Sequence, residues 1–479
     1  MKISIKTIGL FLGPLIFLGV HYGLENALPT QGASIVLGLA GWMVCWWVTE
    51  AAPMAVTALL PIVIFPIAGV YSIQQATAPY SSHVIFLFLG GFLLALGLEE
   101  HGLHKRIALN LIRVTGTSAN GIILGFMLAT WFLSMWISNT ATTIMMLPIA
   151  ASVIDLLNKG KVESNQFSMF ALSLMISIAY SANIGGFATI IGTPPNVVFV
   201  GYVQQMLKID IGFAQWLLIG IPISGILVFI AYKMLTKVLF PHNIGKIEGA
   251  DDIINFQLQA LGSMKREEKL VALIFGLTAF LWIFKKVIND IIGVPVLHDT
   301  VSAMIGGVLM FVFPVNIKEG KSLLSWSAAT RLPWGILLLF GGGMCLAKGM
   351  ETTGLVDIIG DAVSESSLST IFVLAILVAV MLFMTELMSN IALTTIFIPV
   401  VFGIGQGMGM NPLLLSIPVA IAASCAFMMP IATPPNAIVF ASGHIRMKDM
   451  IKAGIWLNII SVLLLVLAAV TIIPLVFGN

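Results

Sequence analysis

Apolar positions in this chain do not alternate with polar ones, as a half-buried strand would require, and they do not form the narrow stripe of an amphipathic helix. They run in blocks. Eleven blocks approach the length of a membrane-crossing helix: 7–23, 34–49, 54–71, 84–98, 167–192, 212–232, 269–284, 299–316, 334–350, 413–432 and 453–476. A crossing needs about 20 apolar residues. Two longer stretches, 119–157 and 368–405, are each interrupted at the centre by Ser-Asn. The pattern predicts an all-α polytopic membrane protein with about 11 transmembrane helices and two re-entrant hairpins, and it lacks the dyad repeat of a barrel.

Composition agrees. A chain of 479 residues that is 59% hydrophobic and 9% charged, with a mean hydropathy of +1.05, cannot hide its apolar surface in a water-soluble core. Lys2 and Lys6 precede the first block in the manner of a signal peptide, but span after span follows, so that block is the first transmembrane helix. The net charge of +2 and the lack of a basic stripe exclude nucleic-acid binding. Cys45, Cys345 and Cys425 lie in apolar segments without CxxC spacing and read as packing residues.

Charge placement tests the segmentation, because cytoplasmic loops hold most Lys and Arg. With the N-terminus inside and each interrupted stretch returning to the side it left, 19 of the 23 Lys and Arg fall inside, Lys159 and Lys161 among them. Lys208, Lys285, Lys286 and Lys348 remain outside or in a span, and the loop after Lys348 carries Glu351, Asp357, Asp361 and Glu365, as an external loop can. The C-terminus then ends outside. Length alone does not separate a hairpin that stops at the midplane from a pair of full spans. The breaks are short, neutral and flanked by Trp131 and Trp136 or by Glu386, which suits a buried tip.

The chain repeats itself. "FLGGFLLALGLEEHGL" at 88–103 parallels "FGGGMCLAKGMETTGL" at 340–355, Ser138-Asn139 and Pro148 parallel Ser389-Asn390 and Pro399, and "GTPPN" at 192–196 parallels "ATPPN" at 432–436. The polar connection 241–268 joins an N-terminal repeat, 1–240, to a C-terminal repeat, 269–479. In this topology the first Gly-rich helix runs inward and its counterpart outward, so the repeats are inverted. That arrangement places a transporter's site near the bilayer midplane.

A helix interrupted in the membrane exposes backbone N–H groups of partial positive charge at the start of its second half. Asn139 and Asn390 can cap such ends, while Ser138, Thr140 and Ser389 offer hydroxyls, so two opposed tips make a neutral, donor-rich pocket for an anion. No Lys or Arg stands near either tip in sequence. The proline pairs Pro194-Pro195 and Pro434-Pro435 delete donors and leave upstream carbonyls free as hard ligands for a small cation. A hydroxyl also stands four residues before each Ser, at Ser134 and Thr385. Glu386 beside the second tip reads as a structural acid or as a proton-coupling group. Glu50 and His83 lie near span ends and read as interfacial.

The paired Ser-Asn motifs, each followed by Thr-Pro-Pro-Asn, resemble the divalent anion/sodium symporter family over nearly the whole chain, from "WWVTEAAP" to "CAFMMPIATPPNAIVFASGH". The resemblance implies a homodimer whose protomers each have a scaffold and a transport domain, an elevator-type motion across the membrane, and di- or tricarboxylate substrates driven by Na+. It also implies one sodium site at Ser134, Ser138, Asn139 and Gly192, and a second at Thr385, Met388, Asn390 and Ala432. Substrate carboxylates would meet Ser138, Asn139, Thr140, Ser389 and Asn390, above Thr193, Pro194, Thr433 and Pro434. One departure is Ile391, where many bacterial dicarboxylate members have Thr.

The expectation is a symporter of a bacterial inner membrane, with a cytoplasmic N-terminus and an external C-terminus, that imports succinate, malate or fumarate with sodium and without an organic cofactor. A sodium-independent exchanger and a citrate or sulfate symporter are the alternatives. A passive channel would need a continuous polar path, and a membrane hydrolase would need HExxH, paired aspartates or a Ser with a nearby His or Lys; none is present, so the protein does not read as an enzyme.

Overall fold

Proline decides which apolar blocks become one helix. The block 54–71 divides into Met54–Thr57 and Leu60–Ile67, with Pro53 capping the first piece and Pro61 opening the second. The block 413–432 is helical only over Pro412–Ala422, then passes through irregular backbone to Pro434–Phe440. The computed structural model describes residues 4–478 apart from 29, 160–163, 317, 319 and 365–367. Lys2, Lys161 and Glu365, which entered the charge argument, lie outside the described residues.

Among the described residues, nine helices are long and apolar enough to cross a membrane. Seven coincide with predicted blocks. The other two are Asn139–Leu157 and Asn390–Gly407, the second arms of the interrupted stretches. Their first arms, Ala119–Ser134 and Thr370–Thr385, are shorter, as are Asp299–Val312 and Pro412–Ala422. The predicted block 299–316 ends early because Pro314–Asn316 turns into a small antiparallel pairing with Lys321–Ser322.

Ion pairs fix which helix ends share a face. At the face where the first helix begins, Lys6 pairs with Glu50 (3.0 Å), Arg106 with Glu268 (2.6 Å) and Arg331 with Glu100. Glu100 ends one Gly-rich helix, His83–Glu100, and Arg331 stands just before the other, Trp334–Thr352, so the two copies run in opposite directions. Both ends of the first hairpin lie against the connection 241–268. Ile247 N donates to Thr117 O (2.9 Å) before the first arm, and Gly249 faces Leu156 on the second. In the second interrupted stretch, Leu355–Ser364 packs against the end of Asn390–Gly407.

Burial sorts the helices. The first helix turns Ile5, Phe11 and Leu15 outward, each more than 60% exposed. Ser164–Gly186 and its continuation through Tyr202 are buried over nearly their whole length. The broken helix therefore sits where protein, and neither lipid nor water, must satisfy its backbone.

The Gly-rich copies share a packing role. A Cβ at Gly90 would lie 2.6 Å from the Ala303 backbone, and one at Gly342 would meet the Ala58 carbonyl. We expect Gly90→Ala and Gly342→Ala each to destabilise the protein by about 1–3 kcal/mol through overpacking, read as a lower unfolding temperature in detergent. Gly276→Ala, whose Cβ meets nothing within 4 Å, should leave that temperature unchanged or raise it.

Candidate functional site

The two tips are built alike. In the first, Ser134 Oγ donates to Asn139 Oδ1 (2.8 Å); in the second, Thr385 Oγ1 lies 2.6 Å from Asn390 Oδ1. Ser134 and Thr385 are fully buried, whereas Ser138 is exposed and Asn139, Thr140, Met388, Ser389, Asn390 and Ile391 are half-buried. Each tip thus has a closed oxygen cluster behind it and an open edge in front.

Capping falls to Ser, not to Asn as the sequence suggested. Ala141 N donates to Ser138 Oγ (3.2 Å) and Ala392 N to Ser389 Oγ (3.5 Å). The reason is position: a side chain at the N-cap reaches the N–H groups two and three residues on. Asn139 and Asn390 are already helical, so their side chains point back toward the helix N-terminus and meet the hydroxyl before the break.

The Thr-Pro-Pro-Asn segments also differ from expectation in one respect. The prolines free carbonyls, but the Asn side chain claims several of them. Asn196 Nδ2 donates to Phe187 O (3.1 Å) and Thr189 O (2.7 Å); Asn436 Nδ2 donates to Ala426 O (3.1 Å) and Met429 O (3.0 Å). Asn436 N in turn donates to Thr433 Oγ1 (3.4 Å), while Thr193 makes no such cap. Thr193 and Thr433 are buried, Pro194 is half-buried and Pro434 is exposed.

Oxygens remain that lack enough protons. Thr385 Oγ1 has one hydrogen, yet it stands 2.6 Å from Asn390 Oδ1 and 2.8 Å from Ala423 O. In the first half, a Cβ on Gly192 would lie 3.0 Å from Ser134 O, 3.1 Å from Met135 O and closer still to Gly186 O. Three carbonyls therefore crowd Gly192, and Asn139 Oδ1 faces the neighbouring Gly186. Oxygen clusters of this kind suit a hard monovalent or divalent cation. Met388 N and Ala432 N close local turns on Met384 O (3.1 Å) and Met429 O (3.2 Å).

The halves cross. Asn139–Lys159 packs against Pro434–Phe440, and Asn390–Gly407 packs against Pro194–Tyr202, where Tyr202 Oη donates to Thr395 O (2.7 Å). Asn183 Nδ2, buried in the first broken helix, reaches Ala426 O (3.0 Å) and Thr433 Oγ1 (3.1 Å) in the second. Thr189 Oγ1 donates to Met135 O (2.5 Å) and accepts from Gly192 N (3.0 Å), tying the first tip to its broken helix. Sequence reasoning passed over Asn183 and Thr189. The signal for Asn183 was an amide amid apolar helix, in "AYSANIGG".

Glu386 resolves into a structural acid. It accepts from Phe427 N (2.7 Å), Met428 N (2.9 Å) and Met429 N (3.0 Å), and from Asn458 Nδ2 (2.8 Å). The second broken helix stops at Ala422, about one turn before the point matching Gly186 in the first, so these amides have no helical partner.

The sodium:sulfate symporter transmembrane region family model matches residues 10–477. A sodium-dependent dicarboxylate transporter, SdcS, of Staphylococcus saprophyticus is 38% identical, the match covering 99% of this chain and 92% of that protein; the one of Staphylococcus aureus is 40% identical with the same coverage. Among solved structures, the Alcanivorax borkumensis YdaH transporter aligns with a TM-score of 0.55 at 11% identity, covering 88% of this chain and 89% of that one. Neisseria gonorrhoeae MtrF aligns at 0.53 and 13%, covering 86% and 83%. Those two likenesses show a shared membrane-transporter fold. Matched over nearly its full length by the family model and by relatives named as transporters, the chain belongs to the sodium:sulfate symporter family, the divalent anion/sodium symporters, and is a transporter rather than an enzyme.

Proposed function

We propose that the protein is a sodium-coupled symporter that imports C4-dicarboxylates such as succinate, malate and fumarate. The observation that carries this reading is the crossed packing of two like tips, each pairing a buried hydroxyl with an Asn oxygen. The first sodium ion is held by Ser134, Ser138, Asn139 and Gly192; the second by Thr385, Met388, Asn390 and Ala432, with the Ala423 carbonyl beside them. The carboxylates meet Ser138, Asn139 and Thr140 on one side and Ser389 and Asn390 on the other. Thr193, Pro194, Thr433 and Pro434 line the floor. The start of each second arm carries about half a positive charge, and the bound cations offset the rest of the acid's charge.

The names of the relatives favour a dicarboxylate and sodium. The hairpins are re-entrant, the repeats inverted, and the hairpins and broken helices move together as a transport unit within a scaffold, in a homodimer of elevator type. The face bearing Lys6, Arg106 and Arg331 is cytoplasmic in a bacterial inner membrane, and the C-terminus is external.

Glu386 acts as a positioning residue for the second cation site, since it holds the backbone four residues beyond the Ala423 carbonyl. Glu386→Gln places an NH2 against one of the backbone N–H groups.

Three outcomes follow, all measured by uptake into proteoliposomes. Wild-type protein takes up succinate with an imposed sodium gradient and not with potassium in its place, and Asn139→Ala and Asn390→Ala each raise half-saturating sodium at least about tenfold, the equivalent of ~1.4 kcal/mol; equal uptake in both salts would refute cation coupling. Ile391→Thr restores a hydroxyl at the second tip and reorders competition among succinate, citrate and sulfate, and an unchanged order removes that position from the site. Glu386→Gln lowers the unfolding temperature and raises half-saturating sodium more than half-saturating succinate; sodium dependence equal to wild type would remove Glu386 from the support of the site.

A further inference from the structure

Away from the tips, at the face opposite Lys6, three side chains converge from distant parts of the sequence. His83 opens the helix His83–Glu100, Asp210 lies in the segment joining the first broken helix to Phe213–Lys233, and His298 stands just before Asp299–Val312. His298 Nε2 is 3.0 Å from Asp210 Oδ2, and His83 Nε2 is 3.9 Å from Asp210 Oδ1. One ligand atom from each of the three lies within 4.8 Å of the others. The two rings meet edge-on, with centroids 4.9 Å apart. His83 Nε2 is shielded from solvent and has no hydrogen-bond partner.

We propose that His83, Asp210 and His298 bind a divalent transition-metal ion of the zinc class. Two imidazoles and a carboxylate are a donor set that such ions take up, with water in the open position. In a tetrahedral site with bonds of about 2.0–2.1 Å, ligand atoms stand about 3.3 Å apart, so closing the present separations of up to 4.8 Å takes a movement of at most about 1.5 Å by the His83 ring. The surroundings support it. Gln204 Nε2 lies 3.1 Å from His83 Nδ1, and the same amide turned over accepts from Nδ1–H and leaves Nε2 free for the metal. The hydroxyl of Thr300 donates to the His83 carbonyl (3.1 Å), anchoring the backbone of that residue. The nearby Lys285 ammonium is occupied by Asp299 (2.9 Å).

The ion has a mechanical consequence, which rests on the elevator reading. Asp210 follows the broken helix of the transport unit, whereas His83 and His298 belong to scaffold helices. A metal bridging them ties the two together in one position and arrests transport.

The test has two arms. Zn2+ titrated by calorimetry into purified protein in detergent binds one ion per chain, and His83→Gln, His298→Gln and Asp210→Asn each weaken binding at least tenfold; no binding by wild type, or equal binding by all four proteins, overturns the site. Asp210→Asn is a loop substitution that preserves shape and so guards against misfolding of the histidine variants. In proteoliposomes, Zn2+ on the His83 side blocks sodium-driven succinate uptake by wild type, chelation restores it, and the His298→Gln protein is insensitive. Binding without inhibition overturns the arrest alone. Failure of zinc-free wild type to take up succinate overturns the transport reading, and the calorimetric result still decides the site.

Discussion

In an apolar interior a backbone group without a partner costs several kcal/mol, and this structure breaks four helices inside its own core. The fold depends on who takes the released groups. Ser138 and Ser389 take amides at the start of the second arms, and Asn196 and Asn436 take carbonyls upstream of the proline pairs. Glu386 collects three amides where the second broken helix stops early. With these satisfied, the Ser134 and Gly186 carbonyls still crowd Gly192 and Thr385 Oγ1 still faces two acceptors with one hydrogen; on the proposed reading these oxygens receive an ion from outside the chain.

On the proposed reading, the same accounting explains why a neutral site would take a charged substrate. No Lys or Arg lies near the tips in sequence, so a dianion bound there would be balanced only by helix ends and by ions that arrive with it. In a low-dielectric site that balance would couple the two ligands. Each raises the other's affinity by the same factor, and a fixed Arg would hold the acid without sodium and abolish the dependence.

What was legible in the sequence was whatever disrupts a helix twice. Ser-Asn, Thr-Pro-Pro-Asn and the Gly-rich segment announce themselves because each conflicts with an apolar span, and their second copies repeat the conflict at matching positions. Residues that act through distant partners were silent. Asn183 meets Thr433, Asn458 meets Glu386, and His83 meets Asp210 and His298 only once the chain is folded. Local spacing misassigned the caps, because Ser and Asn stand side by side and only the backbone conformation shows which precedes the helix. Hydropathy likewise counts Pro61 as part of the apolar run 54–71, while the helix breaks between Thr57 and Leu60.

The crossed packing also constrains how access can alternate. Opening one hairpin alone would strip its second arm from the opposite half's Pro-Pro helix. It would part the Tyr202–Thr395 hydrogen bond for one hairpin and expose the buried Asn436 network for the other. Each of those polar groups is buried, so the loss would be costly. Moving both hairpins and both broken helices as one body keeps every such bond and shifts the rearrangement to the outer contacts. There Gly90 and Gly342 let the Gly-rich helices pack closely against Ala303 and Ala58, and Asp210 faces His83 and His298. The seam at those residues is where a moving body would have to slide.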